Sequence, residues 1–174
     1  MIDGILQATE LPNLHPALVH FPIALLPLAA GFDAVVLALR LRGRPGPEGA
    51  TLTLYALAVA SAWAALWAGE VAEESLSALP AVVETAVEAH EEWASRFVYT
   101  ATAVALARLA VAWWGRSGRP GRRAALLARG AILLLALVAV GLLVEAADRG
   151  GGLVYRAGVG VMAVPSPGTE PPAP

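Results

Sequence analysis

The sequence predicts an all-α fold, an up-down-up-down bundle of four transmembrane helices. Hydrophobic residues make up 57% of the 174 residues and charged residues only 15%, whereas a soluble domain carries about 25% charged residues. Four apolar segments have membrane-spanning length, and the connections between them alternate between basic and acidic. A soluble helical bundle would need a polar stripe along each helix, and segments such as LYALAVASAWAALWAG have none.

The four apolar segments cover residues 16–39, 50–69, 94–114 and 130–147. Each is long enough to cross a hydrocarbon core of about 30 Å as an α-helix. We assign residues 1–161 to a single four-helix membrane domain. Residues 162–174, which contain most of the proline-rich stretch PSPGTEPPAP, are expected to form a disordered tail.

The arginine distribution predicts the orientation of the bundle. All 12 basic residues are arginines, and none lies between Glu70 and Glu92, where the connection between the second and third spans carries its glutamates. The arginines of the two other connections are Arg40, Arg42, Arg44, Arg116, Arg119, Arg122, Arg123 and Arg129. Because basic connections stay in the cytoplasm, we expect a multi-pass protein with both termini outside.

The glutamate-rich connection is expected to be helical where it leads into the third span. Pro80 suits a first helical turn, and apolar residues from Val83 to Phe97 recur at helical spacing. Glu84 and Glu88 lie on a different face from His90. The sequence thus predicts an outward glutamate-rich helical extension between the second and third helices, with His90 on its apolar face.

All three histidines lie near one end of the predicted bundle. Counting from the turns of antiparallel neighbours brings His20, Glu70 and His90 to one depth, together with the run GGGLVY. His15 lies one to two turns further out. Histidine inside a membrane span indicates a functional site, and the alternative is that each ring caps a helix end or a carbonyl that Pro22 and Pro27 leave without its usual donor. We expect His20 to face His90.

Two charges lie deepest inside the apolar segments. Asp33 and Arg108 each sit about 11 Å from the arginine-bearing end of their helix, and an isolated charge at such depth costs several kcal/mol. We expect an ion pair between the first and third spans; the alternative is that Arg108 reaches the headgroups alone. The tetrapeptide GRPG occurs at 43–46 and 118–121, which indicates either two similar hairpins or a chance match.

The motifs LHPALVHFPIALLPLAAGFD, HEEWA and GGGLVYRAGVGV together resemble a bacterial family of small four-helix membrane proteins, domain of unknown function 2231. The resemblance covers residues 14–161 and implies the bacterial inner (cytoplasmic) membrane. The family motifs fall on His15, His20, His90, Gly151, Gly152, Tyr155, Gly158 and Gly160. Some relatives carry Rieske-type iron–sulfur domains, so the resemblance also implies electron transfer with a membrane or periplasmic redox partner.

The first functional hypothesis is a b-type haem-binding electron-transfer protein. Two histidines facing each other across a bundle supply the axial ligands that haem iron requires. We expect His20 and His90 in this role, with His15 close by. Arg96 is a candidate donor to the haem propionates, and the cofactor-binding residues also include Gly151, Gly152 and Tyr155, where glycine lets backbone approach a macrocycle.

Two other hypotheses stay open. A non-haem divalent metal site would use His20, His90 and Glu70, since two imidazoles and one carboxylate suit zinc, iron or manganese. The third is a structural or partner-binding membrane protein without a cofactor. No Ser–His–Asp or Cys–His pattern favours a hydrolase or transferase, the chain has no cysteine, and no nucleic-acid partner is expected. The expected partner in every case is the lipid bilayer.

Overall fold

The computed structural model describes residues 14–74, 79–116 and 121–160, and all regular structure within these ranges is helical. The helices are α1 (His15–Leu18), α2 (His20–Leu41), α3 (Glu48–Glu74), α4 (Ala81–Arg116) and α5 (Arg122–Tyr155). The predicted all-α class is thereby confirmed. The proline-rich tail, residues 162–174, lies outside the described residues.

Four stretches are long and apolar enough to cross a membrane, as the sequence predicted. Counting α1 and α2 together, they are His15–Leu41, Glu48–Glu74, Ala81–Arg116 and Arg122–Tyr155, with 27, 27, 36 and 34 residues. All are longer than the apolar segments because the helices continue into polar sequence. In particular, α4 begins at Ala81 directly after Pro80, and α5 runs through Gly150–Gly152.

The four long helices form a closed ring of neighbours. α2 packs against α3, α3 against α4, α4 against α5, and α5 back against α2. The beginning of the first span contacts the C-terminal part of α3, where His15 bonds Ala65. The end of α2 contacts the beginning of α3, where Arg40 pairs with Glu48. The alternation of the whole bundle across a bilayer stays a prediction.

The core of the bundle is made largely of small side chains. Alanines such as Ala29, Ala101 and Ala139 are completely buried, whereas large apolar side chains including Leu106 and Leu134 point outward. Small residues let helices approach closely in a bilayer, and an outer surface rich in large apolar side chains suits an apolar solvent. This distribution agrees with four helices packed together in lipid.

Proline and glycine explain two irregularities of the first span. The helical pattern is interrupted at Val19, between α1 and α2, because Pro22 has no N–H to bond the carbonyl of Leu18. At the other end, the N–H groups of Arg44 and Gly43 bond the carbonyls of Leu39 and Arg40. Gly43 takes the positive φ of 72° that this Schellman cap requires.

Candidate functional site

Two histidines from different helices meet at one end of the bundle. The ring centroids of His15 on α1 and His90 on α4 are 6.0 Å apart, with their planes nearly perpendicular at 84°. Both side chains are half-buried. We call this end, defined by His15 and His90, the histidine end.

Each ring is fixed by a hydrogen bond to the backbone of the following helix. His15 Nδ1 lies 2.8 Å from the carbonyl oxygen of Ala65 on α3, and His90 Nδ1 lies 3.0 Å from that of Ala146 on α5. A carbonyl oxygen only accepts, so each Nδ1 carries the proton and the lone pair of each ring is on Nε2. Metal-ligating histidines characteristically have this arrangement, in which the second ring nitrogen donates to a carbonyl or carboxylate.

A glycine lies against each ring. A Cβ added to Gly69 would come within 3.0 Å of His15 Nδ1, and one added to Gly150 within 2.9 Å of His90 Cε1. Each glycine follows the accepting alanine by four residues, one helical turn further along the same helix face. The two histidines therefore have the same surroundings: each bonds the carbonyl of an alanine and packs against a glycine.

The structure corrects the expected partner of His90. We expected His20 to face His90, but His20 is exposed. Its Nδ1 lies 2.6 Å from the carbonyl oxygen of Pro16, four residues earlier in the same span. His15 occupies the position opposite His90 instead. Chain counting fixed the height of each histidine but not its direction, and residues five apart on a helix point about 140° away from each other.

The remaining predicted ligands do not come together with this pair. Glu70 is exposed, and within the described ranges no group of three or more histidine and acidic side chains is placed to hold a metal ion. Gly151 and Gly152 are helical, with no neighbouring side chain beyond Tyr155 near either one. Tyr155 is 90% exposed.

Arg96, the predicted propionate donor, belongs to a small surface cluster near His90. Its guanidinium lies 5.1 Å from the ring centre of Trp93, and that of Arg149 lies 5.0 Å from the same ring. Both arginines also bond a glutamate one turn earlier on their own helix, Glu92 and Glu145 respectively. The cluster brings two cations from α4 and α5 to one aromatic side chain.

The predicted ion pair between Asp33 and Arg108 is confirmed. Arg108 Nε donates to Asp33 Oδ1 at 2.7 Å, and both side chains are almost completely buried. The hydroxyl of Tyr55 donates to the other carboxylate oxygen at 3.4 Å. The pair therefore joins α2, α3 and α4 inside the bundle.

Glu48 extends this pair into a network that sequence reasoning did not find. Its carboxylate accepts from Arg108 at 2.5 Å, from Arg129 at 2.8 Å and from Arg40 at 3.1 Å. Among the described residues, Arg108 Nη1 is a buried nitrogen without a hydrogen-bond partner. With three arginines and two carboxylates, the network has one excess positive charge and contacts all four long helices.

The two halves of the chain place equivalent residues at a constant offset in the sequence, and some of these residues contact each other. Asp33 and Arg108 are 75 positions apart, and so are His15 and His90 and the two copies of GRPG. Positions buried on α2 match positions buried on α4 at this offset: Pro22, Leu26, Ala29 and Asp33 correspond to Phe97, Ala101, Val104 and Arg108. Contacts between equivalent positions are typical of two units related by a twofold axis. The contacts of His15 with His90 and of Asp33 with Arg108 are both of this kind.

The second helix of each half shows the same relationship at a different offset. Glu48 and Arg129 are 81 positions apart and ion-paired. The same offset relates the buried positions Thr51, Tyr55, Ala58, Ala62 and Ala65 to Ile132, Ala136, Ala139, Leu143 and Ala146. It also relates Gly69 to Gly150, the two glycines against the histidine rings. The GRPG repeat therefore marks two similar helical hairpins.

The fold and the site together define a class of protein. It is a membrane protein with four helices able to span the bilayer, in which two similar hairpins contribute equivalent residues to shared polar sites. A family model described as "Predicted membrane protein (DUF2231)" matches residues 11–163. The chain belongs to this family, which confirms the resemblance seen in its motifs. No curated protein and no solved structure matches the chain.

Proposed function

We propose that the protein binds b-type haem at the histidine end, with His15 and His90 as axial ligands, and carries electrons. The observation that supports this most is the geometry of the two rings. The two ring centroids lie 6.0 Å apart, a spacing at which two imidazoles could hold one metal between them with bonds of about 2.0 Å. The tautomer also fits, because both Nδ1 atoms face carbonyl oxygens and Nε2 is the donor atom.

Haem needs only two protein ligands, and the pair supplies one from each half of the chain. Bound haem would supply a one-electron redox centre whose potential depends on its axial ligands and their hydrogen bonds. The carbonyls of Ala65 and Ala146 fix the orientation of the two rings. Arg96 and Arg149, held beside Trp93, are the candidate donors to the haem propionates.

The proposal includes a location in the cell. Arginine-rich connections remain in the cytoplasm, which favours a bacterial inner membrane protein with both termini outside. The histidine end then faces the periplasm. A periplasmic or membrane-bound redox partner would exchange electrons with a haem at that surface.

The experiment is an absorption spectrum of detergent-purified protein, expressed with a haem precursor and reduced with dithionite. Wild-type protein is expected to show the α and Soret bands of a bis-histidine haem. His15→Ala and His90→Ala should each abolish these bands. His20→Ala is the matched control, since His20 is exposed and bonds Pro16 within the same span, and it should retain the bands.

Wild-type protein without haem bands after haem supplementation would contradict the proposal, as would loss of haem in His20→Ala alone. Metal analysis of the same samples tests the alternative hypotheses. A stoichiometric divalent ion in the absence of porphyrin would favour the hypothesis of a non-haem metal site over that of haem. Absence of both would leave a structural or partner-binding membrane protein.

A further inference from the structure

A cavity opens at the opposite end of the bundle, which we call the arginine end and define by Arg40, Arg116 and Arg129. Its volume is about 480 Å³, and its lining includes Arg40, Gly43, Glu48, Arg116, Arg122 and Arg129. These residues come from the end of α2 and the turn that follows it, from the end of α4, and from the beginnings of α3 and α5. A space of this size accommodates a phosphate group with part of a larger molecule.

The charge of the lining is strongly positive. Among the lining residues that the structure describes, four arginines accompany one glutamate, which gives three excess positive charges. The carboxylate of Glu48 is already shared by Arg40, Arg108 and Arg129. It therefore compensates little of the charge that Arg116 and Arg122 bring to the rim.

Both lining arginines of α5 are held in place by the protein. Arg129 is 8% exposed and fixed by Glu48, and Arg122 Nη2 donates to the carbonyl oxygen of Leu41 at 2.8 Å. A guanidinium that is already oriented loses less conformational freedom when it binds an anion. The first two turns of α5 supply both arginines, and Gly121, the N-cap residue of α5, has no side chain to bond the first N–H groups. The positive end of the helix dipole adds to the attraction for an anion.

We propose that this cavity binds a phosphate-bearing anion. Guanidinium groups bind phosphate oxygens through paired charge-assisted hydrogen bonds, and the described lining holds four of them beside the N-terminal part of α5. The chemistry is the same for the headgroup of an anionic lipid and for free phosphate. This inference is independent of haem binding, which concerns the other end of the molecule.

Two measurements on the full-length protein distinguish these sources. Isothermal titration calorimetry in a non-ionic detergent uses inorganic phosphate as the probe. Native mass spectrometry uses protein released from nanodiscs of phosphatidylcholine with or without phosphatidylglycerol. Binding of inorganic phosphate supports free phosphate, and retention of phosphatidylglycerol over phosphatidylcholine supports a lipid headgroup.

Arg122→Gln is the test variant, and Arg123→Gln is its matched control. Both residues are exposed arginines in the first turn of α5, but only Arg122 lines the cavity. Arg122→Gln should weaken binding of the successful probe about tenfold, through loss of a charge-assisted contact. Arg123→Gln should weaken it by less than about twofold, because its charge is exposed and screened. Circular dichroism and thermal unfolding verify that both variants fold.

Failure of both probes to bind would overturn the proposal. Equal weakening by Arg122→Gln and Arg123→Gln would overturn it as well, because it would show attraction to the net charge of this end rather than to the cavity. If Arg122→Gln fails to fold, Arg116→Gln serves as the second test variant with the same expected loss, since Arg116 also lines the cavity and is exposed.

Discussion

Arg108 donates from Nε to Asp33 Oδ1 at 2.7 Å, with side chains that are 0% and 1% exposed. The two residues occupy equivalent positions in the two halves of the chain, so the halves meet through opposite charges. A buried ion pair contributes little net stability because desolvation opposes the attraction, but removing one partner leaves an uncompensated buried charge. This asymmetry makes the pair testable.

Arg108→Leu should destabilise the protein by about 3–5 kcal/mol, because it leaves Asp33 buried with only the hydroxyl of Tyr55 as a bonded side chain. The double variant Asp33→Asn with Arg108→Leu should recover much of this loss. Reversible unfolding in mixed micelles, followed by circular dichroism, measures both. Strictly additive effects of the two substitutions would show that the residues do not interact.

Glu48→Gln should destabilise the protein by about 2–3 kcal/mol, since the substitution removes the carboxylate shared by three arginines. Arg108 would keep Asp33, but Arg129 would be left nearly buried without an acidic partner. The control is Glu88→Gln, an exposed glutamate. The same unfolding assay should show almost no change for the control, and equal effects would contradict a central role for Glu48.

Single cysteines test the orientation of the bundle. Gly121→Cys lies at the arginine end and Ala81→Cys at the start of α4; both positions are exposed, and a Cβ at Gly121 meets nothing within 4 Å. With the arginine end in the cytoplasm, a membrane-impermeant maleimide should label only Ala81→Cys in intact spheroplasts. Labelling of Gly121→Cys from outside would reverse the proposed orientation. Labelling of both after lysis verifies that each thiol is accessible.

The fold was predictable because long apolar segments and separated charges are direct consequences of a lipid solvent. The depth of Asp33 and Arg108 likewise predicted their ion pair, since few arrangements satisfy two opposite charges inside a membrane. Helix ends were not predictable from hydropathy alone: Pro80 and the helical spacing after it indicated the start of α4 at Ala81, whereas nothing indicated that α5 continues to Tyr155, well beyond its apolar segment. Hydropathy follows the lipid boundary, whereas a helix ends where its backbone hydrogen bonds end.

The histidine pair was predicted only in part. Matching heights across turns identified His90 and the correct end of the bundle, but the method carries no information about helix faces, and it favoured His20. The GRPG repeat contained the missing signal. Its offset of 75 positions, extended towards the N-terminus, aligns His15 with His90 and Asp33 with Arg108. Glu48 gave no comparable signal, because it lies near the beginning of a helix and only packing brings three arginines to it.

Gly150→Ala tests whether the position of the His90 ring depends on the glycine that it packs against. The added Cβ would lie 2.9 Å from His90 Cε1, closer than real Cβ atoms approach a neighbour, so the ring must move from its present position. A gain in helix propensity of about 1 kcal/mol would accompany the substitution at any helical glycine. Gly152→Ala is therefore the matched control, because it offers the same gain on α5 and meets nothing within 4 Å. We expect Gly150→Ala to be less stable than Gly152→Ala in the micelle unfolding assay and to shift the His90 imidazole resonances, which Gly152→Ala should leave in place. Unchanged His90 resonances in Gly150→Ala would show that the ring does not depend on this glycine for its position.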